Sequence, residues 1–130
     1  AEDDALGLPI VAHPTFNGSY VTCLQQGISH AVLYGQIARL AGADASIYPN
    51  YGGRFSFSKE ECISIVRGTE TPMGHIKPCF PTPGGGMSLE RLSEMYEVYG
   101  RDVIYLIGGA LHRSGNLVES SRAFVSMVTT

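Results

Sequence analysis

Short apolar runs alternate with helical patterns along this chain, and each run breaks off at proline or glycine before the next helix begins. That alternation confines the fold to strands joined by helical crossovers, and hence to a parallel sheet with right-handed connections. The spacing predicts four consecutive βα units. The first strand covers Leu8 to Ala12 and stops at His13 and Pro14. Its helix runs from Ile28 to Leu40, with Ser29 as N-cap, Val32, Leu33, Ile37 and Leu40 on one apolar face, and Gly42 as the stop. The second strand covers Ala45 to Tyr48. After the loop Pro49 to Phe57, Ser58 and Glu61 make a capping box for a helix from Lys59 to Arg67, ended by Gly68. The third strand covers Ile76 to Phe80, with a helix from Ser88 to Tyr99 closed by Gly100. The fourth covers Val103 to Ile107, and Asn116 with Glu119 opens a last helix to Met127.

Two of these units carry the strongest functional signal. The stretch KPCFPTPGGGM (Lys77 to Met87) and the stretch YLIGGA (Tyr105 to Ala110) each end an apolar run in consecutive glycines. Strand, glycines, helix is the arrangement that turns bare backbone N–H groups toward an anion. Two such loops at the tips of successive parallel strands predict a phosphate cup. The plain alternative is that the glycines serve only tight turns.

Function in a parallel α/β sheet sits beyond the carboxyl ends of the strands. The residues expected there are His13, Asn50, Arg54, Gly84, Gly85, Gly108, Gly109 and His112. His13 follows its strand directly, where an imidazole relays protons near neutral pH, or serves as a hydrogen-bonded structural residue. Arg54, in NYGGRF, suits a glycine-hinged lid over an anionic substrate, or is a surface arginine beside a helix start. Asn50 offers hydrogen bonds in the same mouth. Asp44 precedes its strand and belongs to the opposite, structural end, and His30 and His75 lie away from the mouth. Asp3 and Asp4 are terminal, and Glu60 and Glu61 sit where a helix start favours negative charge. No carboxylate pair and no metal ligands fall on the functional side, so charge stabiliser and base are expected from elsewhere.

Composition narrows the partners. Net charge is −3 with no Lys/Arg run, which gives a nucleic-acid partner no electrostatic support. The three cysteines, Cys23, Cys62 and Cys79, show neither zinc-ligand spacing nor a disulfide framework, and a reducing cytoplasm is expected. No apolar run is long enough for a bilayer. The chain opens on Ala1 rather than methionine and is expected to be cut from something longer, with simple methionine removal as the alternative.

Taken together, HPTFNGSY, GISHAVLYGQIARLAGADASIYPNYGGRFSFS, FPTPGGGM and EVYGRDVIYLIGGALHRSGNLVESSRAF resemble the C-terminal part of a RuBisCO large-chain barrel, and are closer to the RuBisCO-like proteins than to true RuBisCO. The resemblance implies that the four units are strands five to eight of a (β/α)8 TIM barrel. It implies that His13 is the family's active-site histidine and that Arg54 stands in for the lid lysine. It further implies that Gly84, Gly85, Gly108 and Gly109 bind a substrate phosphate. Pro14, Arg54 and Pro83 replace the arginine, lysine and serine of carboxylating RuBisCO, which argues against CO2 fixation. The implied parent is a Mg2+-dependent enolase, isomerase or decarboxylase working through an enediolate on a phosphorylated sugar or keto compound. The metal ligands lie on the second strand, outside these residues. A whole barrel takes about 250 residues, so residues 1–130 read as a single partial-barrel fragment, inactive alone. Its partners would be the missing N-terminal part of the parent and further copies of the protein. The competing expectation is a non-catalytic phosphate-binding or assembly module with an open sheet.

Overall fold

The computed structural model describes residues 7–23 and 25–129; Asp3, Asp4 and the chain opening lie outside them. Three parallel strands, β1 (Val11–Ala12), β2 (Ala45–Pro49) and β3 (Phe80–Gly84), pair in chain order. Ala45 is in register with Val11 on one side and with Phe80 on the other. After a short turn of helix, α1 (Gly18–Val21), the first crossover is α2. It is a π-helical stretch, Ala31–Ile37, that runs straight on as α-helix over Ala38–Leu40. The others are α3 (Lys59–Glu70), α4 (Leu92–Tyr99), the short α5 (Gly109–Arg113) and α6 (Leu117–Val128). The result is an α/β fold with an open three-stranded sheet.

Two helix starts form as their sequence dictates. The Ser58 hydroxyl accepts from the Glu61 N–H at 3.1 Å and the Glu61 carboxylate accepts from the Ser58 N–H at 2.8 Å, closing the capping box. Asn116 accepts from the Glu119 N–H at 3.2 Å and opens α6. Asp44 ties down the lower end of β1 by accepting from the Ile10 N–H at 2.8 Å.

The third strand lies four residues later than expected, at Phe80–Gly84 rather than Ile76–Phe80. Pro81 and Pro83 hide it from a propensity reading, yet their spacing makes it possible. Alternate residues of a strand present their N–H and C=O to the same side. Phe80, Thr82 and Gly84 face β2, where the Phe80 N–H reaches the Asp44 carbonyl and the Gly84 carbonyl takes the Asn50 N–H. The prolines face the other side and can only accept, from Ile104 at 3.1 Å and Leu106 at 3.3 Å. Half the rungs on that side therefore lack donors. This is why the expected fourth strand, Val103 to Ile107, is reduced to an extended segment with one parallel bridge, Gly84 to Leu106.

Two further expectations are corrected. Gly68 does not stop α3, which continues to Glu70. It is a contact point: a Cβ there would lie 2.2 Å from the Ala31 carbonyl oxygen, and one on Gly35 would lie 2.6 Å from the Gly68 carbonyl carbon. The same close approach turns the small side of α2 inward. Tyr34, Gly35, Ala38 and Arg39 are buried, while Ile37 and Leu40, assigned to the apolar face, are exposed. Arg39, 3% exposed, closes the far end of α3 by donating to the carbonyls of Gly68, Thr71, Ile76 and Lys77.

The core lies between sheet and helices. Ser46 and Tyr48 of β2 and Pro81 and Pro83 of β3 are all but fully buried on that side, with Cys62, Ile65 and Met95 above them. The opposite sheet face is open, and Val11, Phe80, Ile104 and Leu106 are 38–55% exposed.

Candidate functional site

Strand tips and the loops that follow them build the site. Period-two alternation carries the side of Val11 on to His13, so the imidazole lies on the open side of the sheet. His13 lines a cleft of about 690 Å³ together with Gly84, Gly85 and Gly108, and Tyr34, Phe55 and Phe57 supply aromatic walls. A smaller cavity of about 290 Å³ lies between the two glycine loops, against Gly85, Gly86, Gly108 and Gly109. The structure thus brings His13, Gly84, Gly85 and Gly108 to one cleft, and Gly109 lines the neighbouring cavity that shares Gly85 and Gly108 with it.

Asn50 does not join them. Alternation places it with Ser46 and Tyr48 on the helix side, where it is 1% exposed. Its amide donates to the sulfurs of Met87 at 3.1 Å and Met95 at 3.2 Å, and its carbonyl accepts from the Tyr99 hydroxyl. Asn50 anchors the tip of β2 to α4 and to the end of the glycine loop. Burial pushes the Tyr48 and Tyr99 phenols well above the ordinary tyrosine range and raises the Cys62 thiol. Arg54 is exposed, stacked on Phe55 with 5.0 Å from guanidinium carbon to ring centre, and lines neither cavity.

The glycines of the Arg54 loop are fixed rather than hinged. A Cβ on Gly86 would lie 2.6 Å from the Gly53 Cα, so the two loops meet backbone to backbone. Arg91 clasps the contact. Its Nη1 donates to the carbonyls of Gly86 at 2.9 Å and Tyr51 at 3.2 Å, its Nε donates to Glu94 at 3.1 Å, and the guanidinium lies over the Tyr51 ring at 5.1 Å. The Tyr51 hydroxyl closes the circuit by donating to Glu94 at 2.7 Å. Tyr51 is pushed up to about 12, first by burial and then by Glu94, and the Glu94 carboxyl is held low, first by that hydroxyl and then by Arg91.

Sequence reasoning missed Arg91, because a helix arginine carries no local sign of its tertiary partners. It also missed Arg113, which lines the smaller cavity, and Asn17, whose buried Nδ2 lies beside the cleft. The FNGS turn, with its asparagine just past the first strand, was the available signal for Asn17.

No family model matches the chain. Known proteins do. It is 42% identical over 123 residues to 5-methylthioribulose-1-phosphate isomerase of Rhodospirillum rubrum, covering 94% of this chain and 31% of the relative. It is 33% identical over 116 residues to 2,3-diketo-5-methylthiopentyl-1-phosphate enolase of Bacillus cytotoxicus, covering 89% of this chain and 28% of the relative. The crystal structure of a Rubisco-like protein from Rhodopseudomonas palustris superposes with a TM-score of 0.80 at 38% identity, over 97% of this chain and 32% of that one. The chain is a homologue of the RuBisCO-like proteins. It spans about a third of the length of the relatives it matches.

The described residues do not fit a Mg2+ site. Among them no three His, Cys, Asp or Glu side chains converge, and the cleft carries one imidazole and no carboxylate. Among the described residues no helix is long and apolar enough to cross a membrane.

Proposed function

We propose that these residues are units five to eight of a (β/α)8 barrel and supply the phosphate-gripping side of an active site. The whole protein then acts as an enolase or isomerase on a phosphorylated ketose or keto compound, through proton abstraction beside the carbonyl, and does not fix CO2. The observation that carries the reading is the meeting of two glycine loops at adjacent strand tips, Gly84–Gly86 beside Gly108–Gly109, bridged at Gly84 and Leu106. Among the described residues the N–H groups of Gly86, Gly108 and Gly109 have no acceptor, which leaves them for a ligand. The names of the isomerase and enolase relatives, both acting on 1-phosphates, point to the same substrate class.

Within that site His13 handles a proton. It stands at the end of β1, exposed and on the cleft wall, within reach of a substrate whose phosphate lies at the glycines. The aromatic walls exclude water from one side of the carbon skeleton. Pro14, Arg54 and Pro83, where carboxylating RuBisCO is expected to carry arginine, lysine and serine, support a reaction that stops short of carboxylation. The base and any metal come from residues outside this set, and a homo-oligomer that completes the site belongs to the same proposal.

The test is proton exchange. Full-length protein is incubated in deuterated buffer with a panel of phosphorylated ketoses and their unphosphorylated counterparts, with and without Mg2+, and deuterium beside the carbonyl is followed by NMR. Exchange confined to phosphorylated compounds, lowered about 10²- to 10⁴-fold in kcat by His13→Ala with KM little changed, is expected. Absence of exchange with every phosphorylated compound overturns the reading.

A further inference from the structure

We propose that Arg113 is the cation of the anion site, and that its ligand is the terminal phosphate of a small phosphomonoester. This inference rests on the anion-site reading above and assigns the charge that reading lacks. Arg54 was the candidate suggested by its glycine-rich loop, but it lies on Phe55 and lines neither cavity.

Three observations converge on Arg113. Among the described residues it is the one ionisable side chain lining the cavity between the two glycine loops. It stands one helical turn after Gly109 on α5 and leans back across it. A Cβ on Gly109 would lie 3.0 Å from its Nη1 and 3.7 Å from its Cζ, the direction in which helical side chains project. Finally, Arg113 is exposed, and its guanidinium makes no hydrogen bond or ion pair with any described residue, so it is free to close on an anion in the cavity it lines. Arg39 and Arg91, by contrast, are held by backbone carbonyls and, for Arg91, by the Glu94 carboxylate; Arg54 and Arg101 lie over aromatic rings, and Arg67 and Arg122 line neither cavity.

Gly109 opens a helix with φ outside the left-handed region, and a Cβ there would crowd only the mobile tip of the Arg113 guanidinium. A planar fork of donors over bare main-chain N–H groups is a fitting receptor for a phosphate dianion.

The experiment measures inorganic phosphate binding to the full-length protein by calorimetry, with hydrogen exchange reporting where it binds. In the unsubstituted protein phosphate is expected to slow exchange over 84–88 and 106–113. Arg113→Met should weaken binding roughly ten- to hundredfold, Arg113→Lys should restore part of it, and Arg54→Met should stay within about twofold. Phosphate that binds Arg113→Met as tightly as the unsubstituted protein, with protection still over the two loops, overturns the role of Arg113 and leaves the glycine cup standing. Phosphate that protects neither loop in the unsubstituted protein overturns both.

Discussion

Gly85 and Gly86 differ in what they touch, and that difference is measurable. Both hold left-handed backbone, with φ of +81° and +65°. Alanine in that region costs about 1–2 kcal/mol, and its lower unfolded-chain entropy returns about 0.4–1 kcal/mol. A Cβ on Gly85 meets nothing within 4 Å, so Gly85→Ala should cost about 1 kcal/mol net. A Cβ on Gly86 lies 2.6 Å from the Gly53 Cα and 2.8 Å from the Gly53 nitrogen. Both obstacles are backbone, so no side chain can rotate aside, and overpacking adds about 1–3 kcal/mol. Gly86→Ala should therefore cost about 2–4 kcal/mol. Comparing the two variants cancels the backbone term and leaves the contact between the loops. Urea unfolding of the same protein carrying either substitution supplies the two free energies. Values within about 0.5 kcal/mol of each other would refute the reasoning and show that the two loops do not meet.

Arg39→Met keeps the buried stem but strips the donors from four carbonyls, and should cost at least about 3 kcal/mol; a loss under about 1 kcal/mol in urea unfolding would show that water replaces the guanidinium freely. Asn50→Ala leaves the Tyr99 hydroxyl without its acceptor and opens a small cavity, for an expected loss of about 2–4 kcal/mol in the same assay, while a neutral result would deny its anchoring role. Tyr51 sits at about 12 in the fold against about 10 unfolded. The unfolded chain therefore loses that proton first, and the stabilisation present below pH 10 is lost as pH rises toward 12. Tyr51→Phe should flatten that decline in alkaline unfolding curves, and an unchanged slope would contradict the assignment.

The sequence announces what local rules govern. Strand–helix alternation, the capping box at Ser58 and Glu61, the Asn116 cap and the glycine loops all follow from residues within a few positions of one another, and the structure shows each. Features set by tertiary contact were not visible in the same way. Gly68 reads as a helix stop because glycine commonly is one, and only the carbonyl of Ala31 pressed against it shows the other use. Pro81 and Pro83 read as strand breakers until the partner strand shows that both waste their missing N–H on one side. Arg91, Arg39 and Arg113 look alike in sequence, though one clasps two loops, one closes a helix and one faces a cavity. Asn50 was within reach of a stricter reading. Counting by twos from Ser46 through Tyr48 puts it under the helices, and counting the same way from Val11 puts His13 in the cleft.

That alternation separates the two tasks of the sheet. Residues on the helix side carry cohesion: Ser46, Tyr48, Asn50, Pro81 and Pro83 are sealed beneath α3 and α4, and the Asn50 amide and the Arg91 clasp fix the loop positions from behind. Residues on the other side carry the candidate chemistry, and there the sheet is open, with Val11, Phe80, Ile104 and Leu106 exposed along its apolar face. A cleft supported from one side can be held in shape without contributing every group its reaction needs. The same division lets a chain that spans about a third of the length of its RuBisCO-like relatives place the proposed anion cup and His13 on one side of the sheet, while the proposal leaves the base and the metal ligands to residues outside this set.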